Sequence, residues 1–181
     1  MAQAALPPQP HPSRLTPFAG HPVVLGVVPG QPALVALTAA SWAAALGVEL
    51  YAAYVDPTRV TVEELPDGTV RHAPINSDTM DDSWQERSRQ IEQFLGDVLD
   101  ELGVAWHFRY LAGRPDRALT HLARAVDASA LVVGTLSPGV SARWHDFVEG
   151  SIAARLAHHQ HRPVLVVPLR VVDWHAATPW R

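Results

Sequence analysis

An α/β domain, with a five-stranded parallel sheet, helices on both faces and one β-hairpin excursion, is the fold class the sequence predicts. Three observations carry it. Short apolar runs of strand length alternate with helix-length segments between residues 23 and 167, an order that requires parallel strands joined by right-handed crossovers. Of 181 residues 48% are hydrophobic and 18% charged, which suits one packed core. Turn and cap residues separate the runs where the elements must end.

Val23 to Val28 is an apolar run between Pro22 and Pro29, suited to a strand covered on both faces. An Ala/Leu-rich helix is expected from Pro32 to Gly47, a natural stop. Leu50 to Val55 gives the second strand, ending at Asp56-Pro57. Val60 to Glu64 and Thr69 to His72 alternate across Pro66-Asp67-Gly68, a hairpin signal. From Ser83 to Leu102 the positions Trp84, Ile91, Leu95, Val98 and Leu102 keep helical spacing, with Gly103 after them. Trp106 to Leu111 is a strand, and Pro115 to Val126 a helix with Leu119, Leu122 and Val126 inward. Ala130 to Gly134 is the fourth strand. A loop from Thr135 to Glu149, a helix from about Gly150 to His159 and the strand Val164 to Val167 complete the domain. Residues 1–21 read as a flexible Pro-rich leader, 22–170 as the domain and 171–181 as a tail.

Composition removes whole chemistries. All 14 basic residues are Arg, and there is no Cys. The chain therefore has no Walker lysine, Schiff base, disulfide or thiolate. Net charge is −4 and the Arg residues are scattered, so no nucleic-acid partner is expected. Residues 15–48 carry no charge, but Pro29-Gly30-Gln31-Pro32 cuts them, and the 16 residues from Ala33 to Val48 reach only about 24 Å as helix. No membrane span is expected, and no secretion signal, so the location is expected to be cytoplasmic. No Gly-x-Ser-x-Gly elbow, His-Glu-x-x-His helix or Gly-x-Gly-x-x-Gly turn is present. Asp56, Asp67, Asp81 and Asp82 fall where Asp serves turns and caps, so no catalytic residue is expected. His158-His159-Gln160-His161 lacks the geometry and companions of a metal site, and none is expected.

Sheets of this class bind ligands beyond the carboxyl ends of their strands, where strand order reverses. That directs attention to residues 28–32, 55–57 and 134–151. In the last segment Gly134, Ser137 and Gly139 follow a strand and Gly150-Ser151 opens a helix, so backbone N–H groups and a helix end converge where a phosphate can sit. The same residues also suit an ordinary strand exit and helix start.

Leu131-Val132-Val133-Gly134-Thr135, Gly150-Ser151-Ile152-Ala153-Ala154-Arg155-Leu156-Ala157-His158 and Arg162-Pro163-Val164-Leu165-Val166-Val167-Pro168 resemble the carboxyl-terminal signature of the universal stress protein family. Gly113-Arg114-Pro115-Asp116 resembles it too. The resemblance implies a flavodoxin-like (adenine nucleotide alpha hydrolase-like) fold and a homodimer paired through the edge strand Val164 to Val167. It also implies ATP, with magnesium alongside, as the cofactor of the nucleotide-binding members. Carried onto this sequence, the nucleotide site falls on Val28 and Pro29 at the first strand's end, Val55 at the second's, and Gly134, Ser137, Gly139, Arg143, Gly150, Ser151 and Ile152. Two departures stand out. Twelve residues separate Ser137 from Gly150, more than the nine of the nucleotide-binding pattern. Val28 stands where an Asp usually contacts the nucleoside. The resemblance thus implies a stress-response sensor or regulator that binds an adenine nucleotide, its regulatory protein partner unidentified. The rivals are a nucleotide-free dimeric interaction module and a slow ATPase.

Overall fold

In the computed structural model, which describes residues 11–76, 83–135 and 152–169, parallel strands β1 (Val23–Val27), β2 (Leu50–Asp56), β5 (Trp106–Ala112), β6 (Ala130–Gly134) and β7 (Val164–Val167) form one sheet in the order β5-β2-β1-β6-β7. Strands β3 (Arg59–Glu64) and β4 (Val70–Pro74) make the separate antiparallel hairpin. Four α-helices are described: α1 (Leu34–Leu46), α2 (Ser83–Leu99), α3 (Pro115–Ala125) and α4 (Ile152–His159).

The period of two in the strands assigns the faces. Val23, Leu25 and Val27 of β1 pack with Val35 and Ala39 of α1 and Leu95 of α2. Val24, Val55 and Leu131 point the other way, onto Leu119 and Leu122 of α3 and Leu156 of α4. Small Ala36, Ala39, Ala40 and Ala43 bring α1 close to the sheet. Gly47, at φ +64°, ends that helix in the left-handed conformation, its N–H on the Ala43 and Ala44 carbonyls.

The second helix departs from its expected stripe. Its α-helical part stops at Leu99, and a 3₁₀ turn over Asp100–Leu102 follows. Tightening from 3.6 to about three residues per turn rotates the last positions. Leu99 takes the buried place and Leu102 is 44% exposed, contrary to the periodic expectation. Val126, also expected inward, is only partly buried, and Ala123 sits in the core instead. The hairpin turn follows its residues: Asp67 Oδ1 accepts from the Thr69 N–H and hydroxyl, and Gly68 takes φ +81°.

The chain steps outward from β1 through β2 to β5, then returns to lay β6 and β7 on the other side of β1. The topological switch point is therefore the β1/β6 boundary. Among the described residues no helix is long and apolar enough to cross a membrane.

Candidate functional site

At the carboxyl ends of β1, β2 and β6 the structure holds a cavity of about 150 Å³. Small residues open it. A Cβ at Gly26 would lie 3.2 Å from both Leu119 Cδ1 and Val133 Cγ1, and Ala53 stands beside Gly26 on β2. The missing Gly26 side chain leaves room beside Leu119 and Val133, both of which line the cavity. Val55, Leu119, Val133 and Ile152 supply apolar walls, and Pro115, the first residue of α3, brings that helix's amino end to the rim. Leu169, beyond β7, leans over the opening, held by its N–H on Thr135 Oγ1 at 2.9 Å.

The turn after β1 shapes the near side. Gly30 takes φ +73°, and the chain folds back so that the Gln31 N–H meets the Val28 carbonyl at 3.2 Å. The Gln31 side chain, 8% exposed, closes the same turn: its Oε1 accepts from the Val28 N–H at 2.9 Å. Gln31 and Thr135 are the only polar side chains among the described lining residues, and none of that lining is ionisable. An apolar slot with few polar handles suits a flat ring.

Of the residues carried over from the sequence, Val28, Val55, Gly134 and Ile152 converge on this cavity. Pro29 is exposed at the turn and is not part of the lining. Ser137, Gly139, Arg143, Gly150 and Ser151 lie outside the described residues. Gln31 was not anticipated. The Pro29-Gly30 turn is visible in the sequence, but the wrapping of a side chain back onto Val28 is not.

One residue past Val55, Asp56 closes its turn as expected and is also the centre of a buried cluster. It is 1% exposed. Its Oδ1 accepts from the Thr58 N–H and hydroxyl at 2.9 and 2.6 Å, and its Oδ2 from Tyr110 at 2.6 Å and Arg87 Nη1 at 2.7 Å. Burial pushes its pKa upward, yet the hydrogen bonds from Thr58 and Tyr110 together with the Arg87 charge hold it below the usual carboxylate value. Burial and the Asp56 charge raise the Tyr54 and Tyr110 phenols. Above them the hairpin docks: Arg59 Nε–H donates to His72 Nδ1 at 2.8 Å, and the His72 ring stands edge-on to Trp84 at 4.8 Å and tilted to Tyr110 at 5.5 Å. The cluster binds hairpin, α2, β2 and β5 together behind the Val55 wall.

A polar groove beside α3 holds two close pairs, while the buried His121 Nε2 has no hydrogen-bond partner among the described residues. Arg114 grips Asp116 through Nε and Nη2, and His121 Nδ1 lies 2.9 Å from Glu64 Oε2.

Comparison with known proteins places this geometry. The universal stress protein family model matches residues 21–168. Among solved structures the chain is similar to a universal stress protein from Archaeoglobus fulgidus, with TM-score 0.58, 19% identity and coverage of 82% of this chain and 94% of that one. It is also similar to the Archaeoglobus fulgidus universal stress protein in complex with dAMP, with TM-score 0.56, 20% identity and coverage of 81% and 97%. A universal stress protein in complex with cAMP gives TM-score 0.55, 24% identity and coverage of 83% and 98%. These likenesses are of fold. No curated protein matches the sequence closely enough to serve as a relative. The matched span begins before β1 and ends after β7, taking in every strand of the sheet and the helices that cover it, so the chain belongs to the universal stress protein family.

Proposed function

We propose that this protein binds an adenine nucleotide such as ATP in the cavity at the β1/β6 boundary and acts as a stress-response sensor or regulator. The observation that carries the reading is the apolar, uncharged slot at the switch point, walled by Val55, Leu119 and Ile152. Two similar structures, complexes with dAMP and cAMP, support it. The base lies against Val55, and the phosphates extend toward the segment of Gly139, Gly150 and Ser151, with magnesium as their counter-ion. Gly134 fits a close approach, since a Cβ there would press on Val35 at 3.0 Å and Leu169 at 3.2 Å.

Binding rather than turnover is the proposed output. ATP hydrolysis is expected to run below ~1 s⁻¹. Mass spectrometry of small molecules released from freshly purified protein, followed by calorimetric titration with ATP, tests the reading. Released adenine nucleotide and a saturable titration support it; an empty protein that gives no heat with ATP or AMP defeats it.

One feature favours a second reading, the nucleotide-free interaction module. Leu169 already leans into the opening and is tied to Thr135. Under that reading Gly26→Val, which fills the slot, leaves cellular function intact.

A further inference from the structure

Gln31 carries an inference that rests on the nucleotide reading and goes beyond it. Its side chain is clamped, because the backbone of the turn and the amide both return to Val28. The clamp also fixes which way the amide faces. A backbone N–H can only donate, so the atom meeting Val28 N at 2.9 Å is the carbonyl oxygen. The NH₂ group is thereby directed away from the turn, toward the exit of β6. There Nε2 lies 3.1 Å from the point a Cβ would occupy on Gly134, and both residues line the cavity.

Nε2 has no acceptor among the described residues, although Gln31 is 8% exposed. The oxygen of Thr135, the other polar side chain of the lining, is already engaged by the Leu169 N–H. A donor with no protein acceptor is free to serve a ligand that supplies one, and a ligand that excludes water from the cavity must supply one or leave the donor unpaired.

We propose that Gln31 is the specificity-determining residue of the cavity, its Nε2 donating to an unsubstituted ring nitrogen of the bound purine. This reverses the polarity implied by the family resemblance, in which a carboxylate at the end of the first strand accepts from the nucleoside. Here Val28 holds that place, and the replacement handle, three residues later, only donates into the slot. Selection accordingly falls on a ring acceptor and not on an exocyclic amino group.

The test uses AMP and the analogues in which each ring nitrogen in turn is replaced by CH, titrated calorimetrically into the full chain and two variants. Gln31→Glu keeps an oxygen for the Val28 N–H and replaces only the donor, so thermal melting should show the fold retained. Gln31→Met removes the amide without adding charge, which separates lost donation from repulsion of the phosphate. The unsubstituted protein should lose about tenfold in affinity for one of the CH analogues. Both variants should lose about tenfold for AMP, with no further loss for that same analogue. Equal AMP affinity in all three proteins, or losses that add instead of overlapping, would overturn the role of Gln31 while leaving nucleotide binding in place. Failure of the unsubstituted chain to bind AMP or ATP would overturn the nucleotide reading and this inference with it.

Discussion

The Tyr110 hydroxyl donates to Asp56 Oδ2 at 2.6 Å, joining the carboxyl ends of two adjacent strands through side chains as well as backbone. Arg87 reaches the same oxygen from α2, and Thr58 saturates the other. A carboxylate this buried is stable as an ion only because every approach to it is a donor. It sits one residue beyond Val55, so the cluster also fixes the far wall of the cavity.

Removing the anion should therefore cost more than removing any one of its donors. Asp56→Ala leaves Arg87 partly buried without its partner and is expected to destabilise by about 2–3 kcal/mol, below the ~3–5 kcal/mol for breaking a fully buried pair because Arg87 is partly exposed. Tyr110→Phe removes one charge-assisted hydrogen bond and should cost about 1–2 kcal/mol. Urea denaturation of both variants checks the order; an Asp56→Ala change below about 0.5 kcal/mol would show the cluster to be dispensable.

Acid should act on this region in two stages. Burial, and then the Arg59 charge, hold the His72 pKa below its ordinary 6.5, and Asp56 is held below its ordinary 3.8. In both cases the folded value is the lower, so as pH falls the unfolded chain takes up the proton first and stability drops. The His72 contribution is complete above 6.5 and is lost as pH falls through its folded value; the Asp56 contribution is complete above 3.8 and is lost below it. Protonated His72 would also present an N–H to the Arg59 Nε–H that now donates to it. Besides Arg59, the groups around it are Asp56 on β2, Trp84 and Arg87 on α2, and Tyr110 on β5. His72→Asn keeps an acceptor and removes the titration. Chemical denaturation across pH should show the first decline flattened in this variant and the second unchanged; an unaltered decline just below pH 6.5 would assign it to another histidine.

Local signals in the sequence reached the strands, the helix stops and part of the cavity. Val164 to Val167 reads as a strand from four apolar residues between prolines, and Gly47 as a helix stop, because each depends on its immediate neighbours. Val28, Val55 and Gly134 came together because strand ends in a parallel sheet must share one edge, and Ile152, which opens α4, was placed there by the family resemblance. Asp56 did not stand out. Its partners Arg87 and Tyr110 are 31 and 54 residues away, and Asp-Pro-Thr is also what an ordinary turn looks like. Leu102 continued a periodic stripe that the change to 3₁₀ geometry cut short. The Gln31 amide was hidden for a related reason: its orientation follows from one backbone hydrogen bond and from space at Gly134, on a strand a hundred residues later.

Filling the slot separates binding from folding. Gly26→Val places branched carbon where Leu119 Cδ1 and Val133 Cγ1 already lie 3.2 Å from a Cβ. Part of the new volume enters the cavity, so the cost should stay near 1–3 kcal/mol. Adenine nucleotide affinity is expected to fall at least tenfold while the far-ultraviolet dichroism is retained. Undiminished affinity would move the nucleotide out of this cavity.

The open side of β7 leads to the remaining expectation, a homodimer paired edge to edge. The strand hydrogen-bonds only to β6 among the described elements, with the Pro163 and Val167 carbonyls turned toward that neighbour. By alternation, the backbone groups of Val164 and Val166 face outward. Leu165 is 38% exposed on this edge, with no charged residue within the strand to discourage pairing. Two copies related by a twofold axis would satisfy those groups in both chains at once. Sedimentation at micromolar concentration should then give twice the 19.7 kDa chain mass. Leu165→Lys, which places a charge on the edge without touching the cavity lining, should shift the species to the monomer. Nucleotide affinity measured on that monomer distinguishes two arrangements: retained binding means each cavity is complete within one chain, and lost binding means the second copy helps to hold it. A 19.7 kDa species for the unsubstituted chain at that concentration would remove edge pairing as the mode of assembly.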